Sequence, residues 1–191
     1  MIPGPITAIP RRIMVMGPPG SGKSTLARQI GTALALPVWH GDALFHGPGW
    51  VPRQREDFIA DMTALAARAE WVIDGNYSSA HYGTAIRDRL ARAERIIWLD
   101  LPRHVTIPRI LRRIARHHGR IRPDSAPGCP ERLDLAFLHY CWRWRSRVQP
   151  SILRVLATVE ERVLCYDRSP ALAQLLADLR TSPHRLRHGP G

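Results

Sequence analysis

The stretch "GPPGSGKST", Gly17 to Thr25, lies between the apolar run "RRIMVM" and the segment "STLARQIGTALAL", whose apolar residues recur at helical spacing. Strand, glycine-rich turn and helix form the setting in which G-x-x-x-x-G-K-[ST] marks a phosphate-binding loop, and Gly17, Gly22, Lys23 and Ser24 satisfy it. Glycines let successive backbone N–H groups turn into one concavity, to which the helix start adds its positive dipole end. Gly17, Pro19, Gly20, Ser21, Gly22, Lys23, Ser24 and Thr25 are therefore expected to hold the phosphates of ATP. Lys23 is placed to reach the β- and γ-phosphates, and the Ser24 hydroxyl to ligate Mg²⁺.

Working outward, strands alternate with helices. "PVWHGDAL" reads as a second short strand ending near Asp42, "GPGWVPRQ" as loop, and "REDFIADMTALAARAE" as helix. "WVID" is a third strand, Trp71 to Asp74, followed by "TAIRDRLARA" as helix and "RIIWLDLP" as a fourth strand. From Pro102 to Gly119 a helical pattern contains Pro108, which is expected to kink or restart it. The segment "ERLDLAFLHYCWRWRSRVQPSILRVLATVE" is helical with a break at Pro150, "RVLCYD" is a fifth strand and "PALAQLLADLR" a closing helix. The pattern predicts an α/β P-loop NTPase sandwich of three layers around a five-stranded parallel sheet, one domain over 1–180, with a helical lid at about 103–147. Residues 181–191 read as a disordered tail.

The 191 residues, 45% hydrophobic, suit one well-cored domain, and no apolar run is long enough to span a bilayer. A cytoplasmic location is expected. Three cysteines at irregular spacing give no disulfide framework, and the nine histidines have no partner at ligand spacing, so metal is expected to arrive with the nucleotide. The net charge of +12 comes from 27 arginines and a single lysine, Lys23. GC-rich codon usage explains the choice of arginine but not the excess of cations over 16 acids, part of which should meet anions.

Phosphoryl transfer also needs an acceptor site and a lid. Asp42 and Asp74 come at strand ends on the edge where the glycine loop lies, so both are expected to face the phosphates. Asp42 reads as acceptor ligand or general base, or as a helix cap; Asp74 as a water-mediated Mg²⁺ contact or an acceptor contact. Asp100 also ends a strand, but in what reads as a simple exit turn. Asn76 and Tyr77 either select the acceptor or form a turn with Tyr77 packed on the next helix. From Leu101 to Arg122 there are seven arginines and no acid, with Arg109 and Arg113 on one helix face and Arg116 near them. Arg143, Arg145 and Arg147 form a second basic strip interleaved with Trp142 and Trp144. Planar guanidiniums suit phosphate oxygens, and Arg109, Arg113, Arg143 and Arg147 are expected to neutralise them as the 119–130 loop closes.

On "GPPGSGKSTLARQI", "HGDAL" followed by "GPGW", "WVIDGNY", and "RILRRIARHHGR" followed by "YCWRWRSR", the sequence resembles the adenylate-kinase-like P-loop kinases. Within them it is similar to the group described as DNA topology modulation protein FlaR-related kinases, over about Arg11 to Arg180. The resemblance implies a nucleoside-monophosphate-kinase-like fold, ATP on the glycine-rich loop, and lid arginines. Asp74-Gly75 resembles the Asp-Gly pair that begins the acceptor-binding stretch of adenylate kinases, and Arg109 and Arg113 resemble the first lid arginines there. Where adenylate kinases continue with Phe-Pro-Arg, this chain has Asn76-Tyr77-Ser78, so AMP does not carry over as the acceptor.

The leading expectation is an ATP- and Mg²⁺-dependent kinase acting on a small acceptor, a nucleotide first. The alternatives are a shikimate- or gluconate-kinase-like metabolite kinase, with Asp42 on a hydroxyl, and an ATP-switched nucleic-acid-binding regulator that uses the basic, tryptophan-bearing strip.

Overall fold

The computed structural model describes residues 9–77 and 83–180. Its elements in chain order are β1 (Arg12–Met16), α1 (Lys23–Leu34), β2 (Val38–His40), α2 (Gly41–Phe45), β3 (His46–Gly47), β4 (Val51–Pro52) and α3 (Arg55–Ala66). There follow β5 (Trp71–Asp74), α4 (Gly83–Arg92), β6 (Arg95–Leu99), α5 (Arg103–His117), α6 (Leu135–Arg147), α7 (Gln149–Leu156), β7 (Val163–Tyr166) and α8 (Leu172–Asp178).

Five strands form one parallel sheet in the order β2-β5-β1-β6-β7. Their continuous apolar runs follow from burial on both faces, which the two-residue side-chain period splits between two cores. Ile13 and Val15 of β1 pack with Leu26, Ala27 and Ile30 of α1 and Leu175 of α8. Met14 and Met16, pointing the other way, join Phe58 and Met62 of α3, Ile86 and Leu90 of α4, and Ile152 and Leu156 of α7. Each fully buried aliphatic side chain of this kind contributes about 1.5–3 kcal/mol, so the two layers fix which face each strand presents.

Four local expectations change. The second strand stops at His40, and Asp42 belongs to the short helix α2. His40 lies in register with Asp74, the last residue of β5, so β2 loses its ladder partner there. A Cβ on Gly41 would sit 2.6 Å from the Tyr77 ring and 2.8 Å from the Asp74 carbonyl, which is why the turn is made by glycine. The "GPGW" segment is a small antiparallel hairpin, β3 with β4, rather than open loop.

The other two differences concern proline. α5 runs unbroken through Pro108, because its buried stripe, Thr106, Ile110 and Ile114, holds the helix on both sides of the lost hydrogen bond. The break near Pro150 falls at Val148, since proline is accommodated in the first turn of α7, where its missing N–H has no intrahelical partner. α6 itself starts only at Leu135, where Asp134 caps it by accepting from the Phe137 N–H at 3.0 Å.

Candidate active site

The glycine-rich loop leaves the carboxyl end of β1, the central strand, and enters α1. Gly17, Gly20 and Gly22 have φ of 145°, 77° and 93°, all outside the range that residues with a Cβ adopt readily. At Gly17 a Cβ would lie 2.6 Å from the Leu99 carbonyl; at Gly20 it would lie 2.6 Å from the Thr106 carbonyl. The loop is thus pressed against β6 and α5. α1 has no side-chain cap at its start, so its first-turn N–H groups are left to a ligand, and the fully buried Ser21 Oγ beside them has no hydrogen-bond partner. Lys23 folds back so that Nζ donates to the Pro18 carbonyl at 2.9 Å. Burial draws its ammonium below the ordinary 10.5, while Asp42 and Asp74 pull the other way.

Both carboxylates named from the sequence lie within electrostatic reach of that lysine. Asp74, 4% exposed at the end of β5, accepts from His40 Nδ1 at 2.9 Å through Oδ2. Asp42, exposed on α2, accepts from the Tyr77 hydroxyl at 2.6 Å. Burial, and then the Asp42 charge, push the Tyr77 phenol well above its ordinary value, so it remains a donor. Tyr77 has φ of 39°, and its ring packs on Phe45 and Phe58 at centroid distances of 5.2 and 4.8 Å.

Asn76 has both amide atoms on the loop: Oδ1 accepts from Gly17 N–H at 3.1 Å and Nδ2 donates to the Gly17 carbonyl at 2.9 Å. Beneath this turn the fully buried Arg89 donates to the carbonyls of Gly75 and Asn76, each at 2.9 Å, and burial lowers it to about 10. Helical spacing carried a signal for it, since Arg89 falls on the stripe of Ile86, Leu90 and Ala93 whereas exposed Arg87 does not, but sequence reasoning missed it. His40 was missed likewise, because its partner lies on another strand.

The arginines separate into two groups. Arg109 reaches the loop, donating to the Ser21 carbonyl at 3.4 Å and to Ser169 Oγ at 3.2 Å. Arg113 lies within electrostatic reach of Lys23 and donates to Glu131 at 3.0 Å. With Arg112, Arg116 and His117 these two line a cavity of about 280 Å³. Arg143 and Arg147, by contrast, are exposed on α6, and among the described residues their side chains have no hydrogen bond or ion pair. It is Cys141 of that helix that comes into the electrostatic range of Lys23. Of the interleaved tryptophans, Trp144 is buried and stacked on Trp98 at 6.1 Å, and Trp142 is covered by Arg103 at 4.5 Å. Asp100 lies outside the site, accepting from Gln149 at 2.9 Å.

The 119–130 loop is docked at both flanks. Gly49 N–H donates to the Gly128 carbonyl at 2.8 Å, and Trp50 Nε1 to the Pro130 carbonyl at 2.8 Å, joining the β3–β4 hairpin to the loop. Buried Glu131 takes Arg113 and Arg122 together, while Asp124 pairs with Arg122 at 2.6 Å and Arg28 of α1 at 3.6 Å. The arrangement presents a glycine-rich loop at an uncapped helix start, two carboxylates and two arginines, one of them tied to the flank of the 119–130 loop through Glu131.

No protein-family model matches the chain, and no curated protein matches it. Among solved structures it is similar to a gluconokinase from Sinorhizobium meliloti 1021, with TM-score 0.52, 21% identity and 90% of each chain covered. It is also similar to a shikimate kinase from Acinetobacter baumannii in complex with shikimate, with TM-score 0.57, 16% identity and 91% of each chain covered. A third is a Chloroflexus aurantiacus protein with a provisional kinase name, at TM-score 0.56 and 19% identity over 91% of this chain and 98% of that one. With the five-stranded parallel sheet, these likenesses show the fold of the P-loop kinases. Among the described residues no helix is long and apolar enough to cross a membrane.

Proposed function

We propose that this chain is an ATP-dependent, Mg²⁺-requiring kinase that transfers the γ-phosphoryl group to a small-molecule acceptor, with a nucleotide as the leading acceptor class. The observation that carries the reading is that the uncapped start of α1, with Lys23 on the Pro18 carbonyl, lies within electrostatic reach of Asp42, Asp74 and Arg113. A bare phosphate switch has no need of a second carboxylate held by a half-buried phenol. The "HGDAL", "GPGW" and "DGNY" segments further support a place among the FlaR-related kinases.

In this reading the backbone from Pro19 to Thr25 holds the ATP phosphates, and Lys23 leaves the Pro18 carbonyl to meet them. Arg109 and Arg113 offset charge that builds on the transferring group, and the 119–130 loop, docked on the β3–β4 hairpin, is the segment that would exclude water. Mg²⁺ keeps most of its positions for water and phosphate oxygens, so few protein ligands suffice. Ser24 Oγ and, through water, Asp74 would hold it, and when bound it neutralises the β- and γ-phosphates.

A second reading within the class rests on the exposed Asp42 carboxylate beside the Tyr77 hydroxyl, which suits an acceptor bearing hydroxyl groups. There the acceptor oxygen bonds to the γ-phosphorus, the bridge to the β-phosphate breaks, and Asp42 takes the hydroxyl proton. Transfer of the γ-phosphate of labelled ATP to nucleoside monophosphates, gluconate, shikimate and duplex DNA, with Lys23→Ala as control, tests both. A labelled small-molecule product lost in the control is the expected result and names the acceptor. Free phosphate alone, rising with DNA, would remove the kinase reading.

A further inference from the structure

Away from the phosphate loop, α4 and α7 leave between them an open cavity of about 600 Å³, within the size range of small-molecule sites. Leu90 and Val155 give it an apolar lining, the exposed Arg87 of α4 and exposed Arg154 of α7 border it, and Ser151 and Thr158 complete the wall. Neither guanidinium has an ion pair among the described residues. Their neighbour Arg162 shows the contrast: it pairs with Glu161 at 3.2 Å and donates to the Leu90 and Ala93 carbonyls, each at 2.8 Å.

Two like charges lining one cavity repel each other, and an anion between them reverses the sign of that interaction. Guanidinium forks match the paired oxygens of carboxylate and phosphate. The apolar lining adds a demand that a bare inorganic ion does not meet, since Leu90 and Val155 gain only from an apolar body set against them. The hydroxyls of Ser151 and Thr158 donate to the carbonyls of Val148 and Val155, each at 2.7 Å, so only their lone pairs face a ligand. We infer that the α4–α7 cavity is a second ligand site, distinct from the phosphate loop, for a small carboxylate or phosphate carrying an apolar body. It lies on the helix whose Arg89 holds the Gly75 and Asn76 carbonyls, one helix away from the acceptor turn. The inference stands apart from the kinase reading.

Calorimetric titration of the full chain with phenyl phosphate, benzoate and inorganic phosphate tests it, with the R87Q/R154Q double variant, Thr158→Trp and Lys23→Ala in parallel. Saturable binding of phenyl phosphate or benzoate is expected, tighter than that of inorganic phosphate. It should weaken at least tenfold in R87Q/R154Q and in Thr158→Trp, which fills the cavity from its exposed rim, and hold in Lys23→Ala. The phenyl phosphate and benzoate arms separate phosphate from carboxylate ligands. No saturable binding of either probe, or binding that survives in both cavity variants, overturns the site. Loss in Lys23→Ala alone would place the probe on the phosphate loop and overturn it equally.

Discussion

The side-chain amide of Asn76 holds the backbone of Gly17 from both sides, accepting from its N–H at 3.1 Å and donating to its carbonyl at 2.9 Å. Gly17 is the first residue of the glycine-rich loop, and Asn76 belongs to the turn that follows β5, so the loop and that turn share one clamp. Asn76→Leu removes two hydrogen bonds worth about 0.5–1.5 kcal/mol each. ATP affinity should fall by about tenfold while the fold is kept; a calorimetric titration reads it, and unchanged affinity would show that the loop holds its shape without the clamp.

Gly20 and Gly22 separate backbone strain from crowding. Both have positive φ, but a Cβ at Gly22 meets nothing within 4 Å, whereas at Gly20 it would meet the Thr106 carbonyl at 2.6 Å and Ile110 Cγ1 at 2.7 Å. Gly22→Ala should destabilise by about 1–2 kcal/mol from backbone conformation alone. Gly20→Ala should lose about 2–5 kcal/mol, because displacement of α5 adds an overpacking cost. Urea denaturation decides, and equal losses would mean that α5 yields freely.

Tyr77→Phe keeps the ring on Phe45 and Phe58 and removes only the hydroxyl that Asp42 accepts. Stability should drop by about 0.5–1.5 kcal/mol. In the transfer assay the KM for the acceptor should rise several-fold while the KM for ATP holds. Equal changes in both would place the Tyr77–Asp42 pair in general support of the site rather than at the acceptor.

Lys23 supplies a proton-linked signature. Burial first, and Arg113 after it, lower its pKa, whereas phosphate oxygens would raise it again. At alkaline pH, between the lowered value and 10.5, nucleotide binding should therefore take up protons, and the calorimetric enthalpy should vary with the ionisation enthalpy of the buffer. In the same window the unfolded chain holds more protons than the folded one, so this group makes the free protein more stable as pH rises toward 10.5. Lys23→Met should abolish both effects, and buffer-independent enthalpies in the unaltered protein would mean that Lys23 stays fully charged when free.

Much of the fold was legible because its signals are local. The two-residue split of β1 between cores, the helical spacing of α1 and α3, and the position of each sheet strand follow from neighbours in sequence. The misplacements arose where a distant partner overrode the local signal. Pro108 marks a break in isolation, yet Ile110 and Ile114 carry α5 past it by burial. Trp144 reads as part of a basic, tryptophan-bearing strip, but the fold commits it to Trp98, while Arg143 and Arg147 on the same helix stay exposed.

The sequence by itself determined the strand, glycine-rich loop and helix around Lys23, since glycine at positive φ, a strand before it and a helix after it are set within a few residues. It also determined that Asp42 and Asp74 stand near strand ends on the same sheet edge. Only the tertiary structure decided their partners: His40 on Asp74, Tyr77 on Asp42, Asn76 on Gly17, Arg89 under the Asn76 turn, and Trp50 on Pro130. Those pairings depend on β5 lying between β2 and β1 and on the 119–130 loop returning to the β3–β4 hairpin. Local periodicity carries no record of strand order, because side-chain alternation is the same whichever strand stands alongside.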